Sequence, residues 1–115
     1  MESILTSIKK LLGIMEDDDS FDTDIIIHIN SVFFTLKQLG VGPIDGFHIE
    51  NNKATWSDFI ADPSEIHAIK TYMFMKVKLV FDSSAMTSAA ITSFKESINE
   101  FEWRLNVDAE TESTE

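Results

Sequence analysis

The stretch FDTDIIIHINSVFFTLKQLGVGP, residues 21–43, decides the fold because it contains a whole amphipathic helix with its start and its stop. Apolar residues recur every three or four positions, which predicts a helix over residues 23–39, with Asp22 as N-cap and GVGP as terminator. One arc of roughly 140° predicts the core face, and its members are Ile25, Ile26, Ile29, Val32, Phe33, Leu36 and Leu39. Ile27 and Phe34 fall nearly opposite this arc, so the helix has more apolar surface than one core face uses.

Three more helices are predicted around this one. Residues 2–12 have helical spacing before Gly13, and residues 63–81 follow an N-cap at Asp62 and a proline at the first helical position. The helix over residues 63–81 is apolar over most of its circumference, so it is either central in a bundle or buried by a partner. The last helix is predicted over residues 88–105, with a narrow apolar seam.

The remaining segments complete the fold class. In residues 47–55, FHIENNKAT, apolar and polar residues alternate before a turn at the two asparagines, which predicts a minor β-hairpin. Thr55 and Asp58 predict the start of a short helix. Residues 107–115 lack periodicity and contain four carboxylates, which predicts a flexible, disordered acidic tail. We therefore expect an all-α protein: a bundle of about four main helices with a minor β-hairpin insertion, forming a single domain over residues 1–106.

Composition limits the classes of function. Among 115 residues, 20 acidic residues against 9 basic ones give a formal net charge of -11, which disfavours conventional binding to nucleic acid. No cysteine is present, so disulfides and thiolate metal sites are excluded. Neither a signal peptide nor a membrane span is expected, which predicts that the protein is made and kept in the cytosol.

Catalytic and metal-binding patterns are not expected either. The three histidines, His28, His48 and His67, do not have ligand spacing. The acidic run over residues 16–24 lacks the glycine and the glutamate of a calcium loop. No nucleophile elbow and no phosphate-binding glycine motif occur. We expect no enzyme activity, no catalytic residue, no metal site and no cofactor.

Surplus apolar surface is the unusual feature of this sequence. It comprises Ile27 and Phe34, the apolar helix over residues 63–81, and Trp103, which the helical spacing places outside the core. In a monomer, the hairpin and the TWSDF turn could cover part of it; otherwise such surface marks an association site. From the helical geometry, Ile27, Phe34, Tyr72 and Met75 are candidate contacts between subunits.

The order of several motifs resembles a known family. The motifs are KKLLGI, SFDTDIIIHINSVFFTLKQLGVGP, TWSDF, YMFMKVKLVFD and EFEWRLN. Together they resemble the small helical head-tail connector proteins of long-tailed bacteriophages, also called adaptor or head-completion proteins. The resemblance extends from about residue 4 to residue 106.

The resemblance implies a structural subunit of the virion head-tail junction. Such proteins form a ring, typically of twelve subunits, that docks under the portal protein, extends the DNA channel and meets a downstream tail-completion or stopper protein. DNA passes through without specific binding. The C-terminal helix and tail commonly reach the portal, which makes Phe101, Trp103, Arg104 and Leu105 candidate portal contacts.

Two other classes of function remain open from the sequence. One is a small acidic helical binding module that inhibits a host DNA-binding protein, supported by charge alone. The other is an enzyme with a carboxylate site, supported only by the abundance of aspartate and glutamate. A one-to-one complex with a host protein would favour the former.

Overall fold

The structure, a computed structural model, describes the backbone of residues 2–113 and the side chains of residues 2–109. Its five α-helices are α1 (Ile4–Leu11), α2 (Asp22–Gln38), α3 (Trp56–Phe59), α4 (Pro63–Phe81) and α5 (Ser88–Ser113), and a 3-10 turn (Ser83–Ala85) joins the last two. No sheet occurs within this part of the chain, so the all-α class is confirmed.

Helix α4 lies at the centre of the bundle. It packs against α1, α2 and α5, which explains why apolar residues cover most of its circumference. The core combines the predicted face of α2 with the inner sides of α1 and α4 and with Trp56 and Phe59 of α3. Of the two arrangements that the sequence allowed for α4, burial within the monomer is therefore the observed one.

Most helix ends follow the local sequence. The Asp62 carboxylate accepts a hydrogen bond from the backbone N–H of Ser64 at the start of α4. At α3, the predicted Thr55–Asp58 pair forms a capping box. Gly40, with φ of 84°, follows the last turn of α2 in the left-handed conformation that glycine adopts without steric cost.

Asp22 is not the N-cap that the sequence predicted. It is the first residue of α2, and Phe21 precedes it without a capping side-chain hydrogen bond. The Asp22 Oδ1 atom instead lies 2.8 Å from Nζ of the buried Lys9, an ion pair by distance whose angles do not make a hydrogen bond. An unpaired ammonium in the core would be costly, so the Asp22 carboxylate pairs with Lys9 of α1 instead of capping α2.

The predicted β-hairpin over residues 47–55 is wrong. The segment is irregular, and its strand-like contact is one isolated bridge between Ser3 and Thr55. The Asn30 side chain of α2 donates to the carbonyl of Ile49 at 2.9 Å and accepts from its N–H at 2.8 Å. Because Asn30 satisfies both backbone groups of the buried Ile49, the chain lies along α2 and does not pair with itself.

Regular structure continues past residue 106. Helix α5 extends to Ser113, and Asn106 donates from Nδ2 to the carbonyl of Leu39 at 3.3 Å. The prediction that the last helix ends at residue 105 is therefore wrong, because the helix continues to residue 113. Flexibility of the acidic C-terminal segment stays a prediction, and residues 114 and 115 lie outside the described residues.

Candidate interaction surfaces

Two large apolar side chains lie exposed on the outer side of α2. Ile27 is 57% exposed and Phe34 is 61% exposed. They are seven residues apart, which places them on the same side of the helix and about 10 Å apart along its axis. Ser31 lies between them, and its hydroxyl donates a hydrogen bond to the Ile27 carbonyl. Because this hydroxyl already has a partner within the helix, covering it with an apolar surface costs little. We call Ile27, Ser31 and Phe34 the α2 strip.

A shallow groove adjoins the α2 strip at Phe34. It has a volume of about 400 Å³ and is bounded on the other side by residues 45–48. Lys37 also lines the groove, and its side chain would lie 3.2 Å from a Cβ placed on Gly46. The α2 strip is therefore next to a concave surface into which a side chain of another protein could fit.

Tyr72 and Met75 lie in the core of the monomer and not on its surface. The Tyr72 hydroxyl donates to Glu102 Oε2 at 2.7 Å, and Lys76 Nζ lies 3.4 Å from the same oxygen. Burial and this hydrogen bond raise the pKa of Tyr72 far above its ordinary value. Tyr72 therefore ties α5 to α4 within one chain, and the structure gives neither Tyr72 nor Met75 a surface for contact with a neighbouring subunit.

The four candidate portal contacts divide between two sides of α5. Phe101 and Leu105 are partly buried against the core. Trp103 is 67% exposed, and Arg104 is exposed and pairs with Glu100 at 2.5 Å. The structure thus places Trp103 and Arg104 where another protein can reach them, while Phe101 and Leu105 hold α5 on the bundle.

A larger groove lies at the end of the bundle where α2 stops. It has a volume of about 600 Å³ and is formed by residues 40–43, residues 59–61, the start of α4 and residues 105–109 of α5. A Cβ placed on Gly40 would lie 3.2 Å from the Cβ of Ala109. Helix α5 therefore approaches this end closely, and its C-terminal part forms one wall of the groove.

Several exposed apolar side chains were not singled out from the sequence. Ile44 and Met15 are in loops, where no periodicity separates an exposed residue from a buried one. Val80 belongs to an apolar arc of α4 but is 62% exposed, because the last turn of that helix passes the edge of the core. The signal available for Val80 was its position next to the end of the helix.

Metal binding and membrane insertion gain no support. No group of His, Asp and Glu among the described residues could hold a metal ion. Across the same residues, no helix is both long and apolar enough to cross a membrane.

The all-α domain exposes apolar side chains on α2 and α5, and surface of this kind is where proteins associate with one another. A family model described as "Phage connector protein" matches residues 4–112. The chain therefore belongs to the phage connector protein family, whose members are structural proteins of the bacteriophage head-tail junction. Neither a curated protein nor a solved structure matches the chain.

Proposed function

We propose that this protein is the subunit of a ring, of about twelve copies in the virion, that docks under the portal protein and extends the DNA channel toward the tail. Its partners are the portal protein, neighbouring copies of itself and a downstream tail-completion or stopper protein. The protein resides in the host cytoplasm before assembly and at the head-tail junction afterwards. The exposed α2 strip, on a chain of the connector family, carries this proposal.

The α2 strip supports lateral contact between neighbouring subunits. Fully burying an isoleucine or phenylalanine side chain contributes about 1.5–3 kcal/mol, and more than half of each is still available in the monomer. The strip therefore contributes about 2–3.5 kcal/mol per interface. Association of two proteins costs at least about 4 kcal/mol in lost freedom. The strip alone does not hold free subunits together, which favours a monomer in solution and a ring that forms on the portal.

Trp103 and Arg104 support contact with the portal. Both are exposed on the outer side of α5, and tryptophan and arginine are the residue types that most often dominate the energy of protein interfaces. Phe101 and Leu105 support this contact indirectly, because they hold α5 on the bundle and so position Trp103 and Arg104. The C-terminal part of α5 lies at the same end of the bundle as Leu39, so this end faces the portal in the proposed ring.

The charge suits a channel through which DNA moves. Twelve chains of net charge -11 would give the ring a strongly negative surface, and any part of it that lines the channel repels phosphates. A wall that does not bind the DNA backbone allows the DNA to slide. The alternative, an acidic module that inhibits a host DNA-binding protein, is supported by the same charge and by nothing else.

Electron microscopy of the protein mixed with portal rings tests the proposal. We expect a second ring layer on one face of the portal, together with monomers in the absence of portal. In infected cells, deletion of the gene should produce DNA-filled heads without tails. Infectious particles of normal morphology from the deletion, or a stable one-to-one complex with a host protein and no portal binding, would contradict it.

A further inference from the structure

Large apolar side chains also lie exposed at the end of the bundle where α2 begins, and the proposed function does not use them. They are Leu11 of α1, Met15 in the following loop, Phe21 before α2 and Val80 in the last turn of α4. Met15 is 72% exposed and Val80 is 62% exposed, so each leaves enough surface for a partner to cover.

Contacts across three elements show that these side chains share one end of the molecule. Lys9 of α1 reaches Asp22 of α2 at 2.8 Å and the carbonyl of Glu16 at 3.0 Å. The Phe21 ring packs edge-on against Phe81 of α4, with centroids 5.5 Å apart. The end of α1, the loop after it, the start of α2 and the end of α4 therefore meet. We call residues 11–24 and 80–82 the acidic end.

Carboxylates are concentrated in the stretch of chain that contains Met15 and Phe21. Six of them occur within residues 16–24: Glu16, Asp17, Asp18, Asp19, Asp22 and Asp24. Asp22 is compensated by Lys9, and hydrogen bonding from the side chain and the backbone N–H of Ser20 lowers the pKa of Asp18. Asp17 and Asp19 are exposed and available to a partner. A protein that covers the acidic end must therefore carry basic residues around an apolar contact.

A second copy of this chain does not provide such a surface. Of its nine basic residues, five already lie against carboxylates of their own chain: Lys9, Lys10, Lys76, Lys78 and Arg104. The other four, which are Lys37, Lys53, Lys70 and Lys95, are divided among α2, a loop, α4 and α5. With so dispersed a set of cations, the acidic end faces a different protein and not a neighbouring subunit.

We propose that the acidic end docks onto a basic surface of the tail-side protein, that is, the tail-completion or stopper protein. This inference rests on the proposed function, in which the C-terminal part of α5 faces the portal. Asn106 of α5 bonds to Leu39 at the far end of α2, whereas the acidic end lies at the start of α2. A subunit held between two partners therefore presents its acidic end away from the portal and toward the tail.

The test measures affinity for the tail-side protein on portal-bound rings. The charge variant is Asp17→Asn with Asp19→Asn, and its matched control, Glu50→Gln with Glu96→Gln, removes two exposed carboxylates elsewhere. We expect the charge variant to bind about tenfold more weakly at about 50 mM salt and only about threefold more weakly at about 300 mM, because salt screens exposed charges. Val80→Ser should weaken binding at both salt concentrations, because the apolar contact is not screened. Thermal unfolding of each variant checks that the monomer is folded.

Each outcome decides between the two proposals. If the charge variant binds the tail-side protein with unchanged affinity and unchanged salt dependence, the acidic end is not the docking surface and the inference fails. If the charge variant loses loading onto the portal while the control keeps it, the acidic end faces the portal and the inference also fails. If the unmodified protein does not load onto portal rings, the proposed function itself fails.

Discussion

Two adjacent phenylalanines on α2 separate the core of the monomer from the proposed subunit interface. Phe33 is fully buried, with its ring centroid 5.0 Å from that of Phe47 and 4.7 Å from that of Phe59. Phe34 is 61% exposed. Phe33→Ala and Phe34→Ala delete the same atoms from neighbouring positions of one helix, so helix propensity cancels between them.

The expected effects on stability differ by several-fold. Truncating a buried phenylalanine to alanine costs about 3–5 kcal/mol, and the two lost ring contacts of Phe33 favour the upper part of this range. Phe34 has about two-fifths of its surface covered in the monomer, so Phe34→Ala should cost about 1 kcal/mol. Phe33→Ala should therefore lower the free energy of unfolding by about 3 kcal/mol more than Phe34→Ala.

Urea unfolding followed by circular dichroism measures both costs. With a slope of about 1–3 kcal/mol per molar urea, a 3 kcal/mol difference moves the midpoint by at least about 1 M. Ring formation on portal assemblies, counted in electron micrographs, should be impaired by Phe34→Ala even though this substitution destabilises the monomer less than Phe33→Ala does. Phe34→Ala should reduce ring formation at a protein concentration where the variant is fully folded, because the loss recurs at every interface of the ring.

Equal destabilisation by the two substitutions would refute this reasoning, because the α2 strip would then belong to the monomer core. Unchanged ring formation by folded Phe34→Ala would refute the interface assignment and leave the fold intact.

Two further predictions concern the monomer. Burial and the hydrogen bond to Glu102 raise the pKa of Tyr72 above its ordinary 10.0, so just above pH 10 the unfolded chain loses the Tyr72 proton while the folded chain keeps it. The folded state should therefore lose stability as the pH rises past about 10. The urea midpoint should fall between about pH 8 and about pH 10.5, and this fall should be smaller in Tyr72→Phe. Gly42→Ala should destabilise the protein more than Gly13→Ala in thermal unfolding, because both glycines have positive φ but only at Gly42 would an added Cβ collide with a side chain, the Phe59 ring. Equal losses would show that this ring moves freely.

The helical framework could be predicted because it depends on local sequence. The burial of Phe33 and the exposure of Ile27 and Phe34 follow from angular position on one helix, and the structure agrees at all three. The start of α4 at Asp62 and Pro63 was likewise determined by capping chemistry within a few residues.

Contacts between distant residues could not be predicted in the same way. Asn30 holds Ile49, 19 residues away, and no local signal distinguishes this asparagine from a solvated one. The alternation of apolar and polar residues in FHIENNKAT indicates an extended chain that buries Ile49. It does not indicate which group forms hydrogen bonds with the backbone of that chain. The buried ion pair of Lys9 with Asp22 escaped prediction for the same reason, since a charged residue is expected on the surface until its partner is known.

The position of α4 bears on where an assembly interface can form. The sequence allowed its apolar circumference to be covered either by the bundle or by a partner, and α1, α2 and α5 all pack on it within the monomer. Tyr72 and Met75 are consequently buried inside the chain, and of the four candidate subunit contacts only Ile27 and Phe34 of α2 remain exposed. Because α2 has both a core face and an exposed strip, a change on the strip can test the proposed ring assembly without unfolding the subunit, whereas an apolar change at the centre of α4 would destabilise the subunit itself.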